Sequence, residues 1–175
     1  GWGTPSPAMT KAAMMASTRY LNGVGANDTL YSNNQGMGLV DLGRLFDGGS
    51  NLRTDQTQVF GATGATFTTT GTIVDSAKPF RVGLVWTDKS GATTGNAWVN
   101  NLNLTVTVGG QTYLGNVFAG ANSATGGAAD AANNAEFVFL PAGVTGAFTA
   151  TVTAANIAGD GVPGNADTTD QDFAL

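Results

Sequence analysis

The sequence contains neither histidine nor cysteine. Without histidine there is no imidazole to act as a general base near neutral pH, and the commonest zinc ligand is missing. Without cysteine the chain can form no disulfide, thiolate nucleophile or thiolate metal site. Charge is scarce as well: 7 Lys and Arg stand against 12 Asp and Glu, net −5, together 11% of 175 residues. Nucleic acid and anionic membranes require clustered cations, so neither is an expected partner, and divalent cations suit this composition better. No apolar run approaches the roughly 20 residues of a membrane-spanning helix, and no signal peptide is visible.

Glycine, threonine, alanine and asparagine fill much of the chain, with 26 glycines and 42% hydrophobic residues. This neutral, polar composition leans toward a secreted protein. Two regions meet near Phe46-Asp47-Gly48-Gly49-Ser50, which predicts one unit over 1–48 and another over 49–175. In the first, Ser6-Pro7 starts a helix and Asn22-Gly23 stops it, with Met9, Ala12, Ala13, Ala16 and Tyr20 recurring at helical spacing. Such a small-residue stripe implies close packing on another surface.

After the linker the period becomes two. Phe80, Val82, Leu84 and Trp86 share one face of a strand, with Arg81, Gly83 and Val85 on the other. Leu102, Leu104, Val106 and Val108 repeat the pattern, and Gly109-Gly110 turns that strand into a hairpin with 111–114. Further strands are predicted over 65–74, 136–140 and 147–154, with another opening at Asp172. The fold class expected is mostly β: an antiparallel β-sandwich or jelly-roll barrel preceded by a helical segment.

Three stretches carry a family resemblance. Ser-Pro-Ala-Met-Thr-Lys-Ala-Ala-Met-Met (6–15) resembles the helix that follows the catalytic serine in subtilisin-like serine proteases (subtilases). Gln-Gly-Met-Gly-Leu-Val-Asp (35–41) resembles the G-x-G-x-V-D segment that closes their catalytic domain. Leu84-Val85-Trp86-Thr87-Asp88, Val99-Asn100-Asn101-Leu102-Asn103-Leu104 and Asn133-Asn134-Ala135-Glu136-Phe137-Val138 resemble the W-x-D, N-D-L-D-L and N-N-x-E-x-V motifs of the extra C-terminal β-barrel domain in large alkaline subtilases. The resemblance implies that 1–48 is the end of a catalytic domain whose Asp, His and Ser lie upstream of Gly1. It also implies that 49–175 is the accessory barrel. A triad needs an imidazole between nucleophile and carboxylate, so the chain itself is expected to have no catalytic residues. Lys11, Lys78 and Lys89 are read as surface charges, since no motif sets a serine beside any of them.

By the same resemblance Asp88, Asn101, Asn103, Asn134 and Glu136 are candidate ligands for a structural calcium ion, which takes about six to eight hard oxygens. Asn101 and Asn103 stand where the family often has Asp, which removes charge from such a site. The competing reading is that Asp88 and the asparagines cap strands and turns. The Asp-rich run 159–172 lacks a closing glutamate and contains Pro163, so it is expected to be a solvated loop rather than an EF-hand. Of the tryptophans, Trp86 is expected in the core, Trp2 with the helical region and Trp98 exposed.

The function expected from these residues is that of a non-catalytic C-terminal region of a secreted subtilase, stabilising the parent catalytic domain as its partner, with calcium as a structural cofactor. The alternative is a free-standing carbohydrate- or cell-surface-binding β-sandwich module.

Overall fold

Ser6 and Pro7 start the first helix, α1 (Pro7–Ala16): the Ser6 hydroxyl accepts the Met9 N–H at 2.9 Å, and Pro7 sits in the first turn. The computed structural model describes residues 3–175. Trp2 therefore lies outside the described residues. The helix ends at Ala16 rather than at Leu21. Ser17 and Thr18 turn their hydroxyls back onto the Met14 and Met15 carbonyls at 2.9 and 3.0 Å. Arg81 Nη1 takes the carbonyls of Ala16 and Thr18 at 2.9 and 2.6 Å. These donors satisfy carbonyls that would otherwise call for another helical turn, and apolar spacing does not reveal them. A one-turn helix, α2 (Leu42–Leu45), follows and is also absent from the sequence reading.

Among the described residues, nine strands complete the fold: β1 (Asp55–Phe60), β2 (Thr66–Ile73), β3 (Phe80–Val85), β4 (Asn101–Val108), β5 (Gln111–Ala119), β6 (Asn122–Thr125), β7 (Ala135–Leu140), β8 (Gly146–Asn156) and β9 (Gln171–Ala174). They form an antiparallel β-sandwich of a four-stranded sheet, β1-β9-β3-β7, and a five-stranded sheet, β2-β8-β4-β5-β6. Apart from the consecutive β4, β5 and β6, each strand is followed by one in the opposite sheet, which is jelly-roll wiring. Gly109 and Gly110, at φ 57° and 77°, supply the left-handed pair that a tight β4–β5 hairpin needs. Strands β1 and β6 escape sequence reading because Asp-Gln-Thr-Gln-Val-Phe and Asn-Ser-Ala-Thr carry no apolar alternation.

The predicted alternation in β3 and β4 builds the interior. Leu84, Trp86, Leu102, Leu104 and Val106 are buried between the sheets with Val138, Val152 and Phe173, and Phe80 and Val82 pack against them. Each such side chain contributes about 1.5–3 kcal/mol on burial. The opposite face of the four-stranded sheet is covered by α1. Ala8, Met9 and Ala12 share one apolar cluster with Val85, Phe137, Phe139 and Ala174, joined by Leu30 and Met37. The small-residue stripe thus packs on the sandwich itself, and segments from 1–48 and 49–175 contribute to one cluster.

Close approach is enforced at Gly83, where an added Cβ would stand 2.6 Å from the Phe137 ring and 3.6 Å from the Ala12 carbonyl. Phe137 is fully buried and cannot yield. Replacing Gly83 with alanine is expected to cost about 1–3 kcal/mol through overpacking, read as a lower urea midpoint with an unchanged slope.

Two further contacts organise the periphery. Gly38, in the G-x-G-x-V-D segment, has φ 106° and approaches the Arg19 carbonyl, so an added Cβ would lie 2.6 Å from that oxygen. This lets Arg19 and Leu39 form a reciprocal antiparallel bridge. The free edge of β7 is covered by side chains. Asn116 accepts the Phe137 N–H at 3.0 Å and donates to Ala135 O at 2.8 Å, while Ser123 Oγ accepts the Phe139 N–H at 2.9 Å. An edge occupied in this way cannot pair with another chain.

Candidate functional site

The five residues expected to hold calcium lie at the end of the sandwich where β3 stops and β4 and β7 begin. Asp88 spends both oxygens on the chain ahead of β4, accepting the N–H groups of Val99 at 2.7 Å and Asn100 at 2.9 Å. Asn134 donates to the Trp86 carbonyl at 3.1 Å and accepts from Lys11 Nζ of α1 at 3.1 Å. Asn101 donates to Asn103 Oδ1 at 3.4 Å. Glu136 accepts the Leu104 N–H at 2.6 Å through Oε2, whereas Oε1 is buried with no partner. Asp88 and Asn134 thus act as caps, and Glu136 alone of the five retains a buried, unpartnered carboxylate oxygen. Among the described residues, no group of three or more acidic side chains is arranged to hold a metal ion.

Glu136 is wholly buried. Burial pushes its carboxyl up to about 8, against the opposing pull of the Leu104 N–H. The site exists because β5 leaves β4 after Leu114, so that Leu104 N–H has no strand partner there and the carboxylate takes its place. Gly115 makes room for it, since a methyl at that position would overlap the Glu136 carboxylate.

Between these residues sits a hub that sequence reasoning missed. Asn100 is 1% exposed. Its Nδ2 donates to Gly159 O at 3.0 Å, Asp170 O at 3.2 Å and Gln171 Oε1 at 2.9 Å. Its Oδ1 accepts the N–H groups of Ala158 at 2.8 Å and Gly159 at 3.0 Å. Its own carbonyl receives Trp86 Nε1 at 3.3 Å. One amide therefore fastens the loop between β8 and β9 to the start of β4. The only sequence signal was its place in Val99-Asn100-Asn101, where it looked like one asparagine among several.

The Asp-rich loop is exposed from Pro163 to Thr169, as expected of a solvated connection, but its end is not. Asp170 is fully buried, accepting from Val162 N at 3.1 Å and Asn165 Nδ2 at 2.7 Å. Asp172 is buried on the α1 side of β9, where Asp172 Oδ1 and Asp55 Oδ1 both lack partners. Burial raises the Asp172 carboxyl above its usual range, and the charges of Asp170 and Asp55 add to this. Asp55 also accepts the Ser6 N–H at 3.0 Å, at the start of α1.

Trp86 is a core residue and Trp98 is exposed, both as expected. Lys78 pairs with Asp47 at 3.0 Å, and Lys11 reaches Asn134; among the described residues neither donates to a serine hydroxyl. No helix among the described residues is long and apolar enough to cross a membrane.

The outward side of α1 is different in character. Pro5, Pro7, Thr10, Met14, Met15 and Val40 line an open, mainly apolar groove of about 530 Å³. Met14, Leu39, Val40 and Leu42 are all exposed. No family model matches the chain, and no curated protein matches it either.

Proposed function

We propose that the chain is the non-catalytic C-terminal region of a secreted subtilisin-like serine endopeptidase, which stabilises the catalytic domain preceding it. The observation that carries this reading is the apolar outer face of α1 with Met14, Leu39, Val40 and Leu42. Met14, Leu39 and Val40 fall in the two segments, 6–15 and 35–41, that resemble the end of a subtilase catalytic domain, and Leu42 follows directly after the second. A chain that lacks histidine cannot supply the general base of a Ser-His-Asp enzyme, which is consistent with a supporting role.

The coding sequence ahead of Gly1 is the first test. Asp, His and Ser catalytic segments in frame support the proposal, and their absence overturns it. In that parent enzyme, Met14→Glu is expected to speed thermal inactivation of the protease. The unfolding of this chain should change by no more than about 0.5 kcal/mol, because Met14 is exposed here. Equal loss in both would refute docking through this face.

Calcium is a separable part of the proposal, with Glu136 Oε1 as its best-placed oxygen. A thermal midpoint lowered by chelator supports a bound ion; an unchanged midpoint removes it.

A second reading, a carbohydrate- or cell-surface-binding module, draws on the outer face of the five-stranded sheet. There Thr68, Thr151 and Thr105 form one cross-strand row, and Thr70, Thr149, Thr107 and Thr112 form the next. Retention on insoluble polysaccharide, lost on replacing exposed Trp98 and Thr68, would favour it over the protease reading.

A further inference from the structure

Seven basic residues serve the whole chain, and three of them converge on one polar pocket. Arg19 from the turn after α1, Arg44 from α2 and Arg81 from β3 line an open space of about 470 Å³, together with Asn122 at the start of β6. No acidic side chain lines it. Arg81 lies over the Phe139 ring, its Cζ 4.1 Å from the centroid, which fixes the guanidinium plane. Its Nη1 is committed to Ala16 O and Thr18 O, while its Nε is buried and unpartnered. Arg44 Nη1 reaches the same Thr18 carbonyl at 2.9 Å, so two cations are near neighbours around one oxygen. Among the described residues, the one ion pair made by these arginines joins Arg44 Nε to the partly exposed Asp41 at 3.8 Å. Among the described residues, Arg19 and Arg81 form no ion pair.

Carbonyl oxygens at the end of a helix supply partial negative charge, which offsets part of this repulsion but not three full cations. Burial, and then the charge of Arg44, push the Arg81 guanidinium down to about 10, so it remains protonated at neutral pH with its charge poorly compensated. In a chain with net charge −5 this cluster is a local reversal of sign. Planar guanidinium forks select carboxylate and phosphate oxygens.

We propose that this pocket binds the oxyanion of a small molecule, a carboxylate or phosphate group bridged by Arg19, Arg44 and Arg81 with Asn122 beside it. The ligand neutralises the arginine cluster and braces the turn after α1 against β3 and α2. This site is independent of the protease reading, because it lies wholly within the described chain.

Titration of the full chain with inorganic phosphate and separately with citrate, each against sodium chloride at equal ionic strength, tests it. Saturable binding with a raised melting midpoint is expected, and the stronger of the two arms identifies the oxyanion class. Arg19→Gln and Arg44→Gln should each weaken binding about tenfold or more, the loss of one charge-assisted contact. Arg19 makes no side-chain hydrogen bond among the described residues, so its replacement leaves the fold intact and isolates the ligand effect. No saturation beyond the chloride control in either arm, or binding unchanged in both variants, overturns the proposal.

Discussion

Replacing Asn100 with alanine is expected to destabilise the protein by about 3–5 kcal/mol, the largest effect of any single substitution considered for this fold. The change strands the N–H groups of Ala158 and Gly159 and removes the donor shared by Gly159 O, Asp170 O and Gln171 Oε1. Each buried polar group left without a partner costs about 1–3 kcal/mol, and water cannot restore them where Asn100 is 1% exposed. Equilibrium urea unfolding measures the loss. Asn100→Asp separates the two halves of the network, since it keeps the acceptor for Ala158 and Gly159 but sets a carboxylate oxygen against three acceptors. It should be at least as damaging as alanine near neutral pH. A loss below about 1 kcal/mol for the alanine variant would mean that the loop is held by other contacts.

The second large effect is a pH dependence centred on Glu136, expected in the calcium-free protein and measured in the presence of chelator. Its carboxyl titrates at about 8 in the folded protein, against an ordinary value of 4.5, because it is buried beneath β4. The folded state therefore holds its proton more tightly than the unfolded state. Stability from this group is fully present below about pH 4.5, falls as pH rises through the window to about 8, and is flat above it. The fall is on the order of a few kcal/mol. Asp172, whose carboxyl is also raised by burial, works in the same direction. Asp130 opposes it: burial pushes its carboxyl up, but hydrogen bonds from Asn116, Ala132 and Asn133 outweigh burial and hold it low. Glu136→Gln keeps an oxygen for the Leu104 N–H and cannot ionise. The variant should melt above the parent at pH 8.5, match it closely at pH 4, and show a shallower slope between. Identical pH profiles for the two proteins would rule out Glu136 as the titrating group.

Both residues show where reading the chain in one dimension stopped. Asn100 has no periodic signature, and its five side-chain contacts reach 58 to 71 residues along the chain. Glu136 was singled out as an oxygen donor, yet its unusual state depends on β5 departing from β4 at Leu114, a register event that no local pattern encodes. The arginine pocket is the same case, since Arg19, Arg44 and Arg81 come from three separate elements. The helix boundary at Ala16 is another, set by carbonyl capping from Arg81 of a distant strand.

Elsewhere the local pattern was sufficient. The alternation in 80–86 and 102–108 specifies two strands and the face each turns to the interior, because a strand with a period of two must place its apolar residues on one face; that α1 also covers the other face of β3 is not in that pattern. Gly109-Gly110 specifies the hairpin, because two residues of positive φ are cheapest as glycine. The absence of histidine excludes a Ser-His-Asp site without reference to any coordinate. Composition and short-range spacing thus settle strands, turns and chemical exclusions, all of which depend on neighbours along the chain. The partners of Asn100, the protonation of Glu136 and the convergence of three arginines depend on desolvation and contacts across the sandwich, which arise only when the two sheets and α1 have closed on one another.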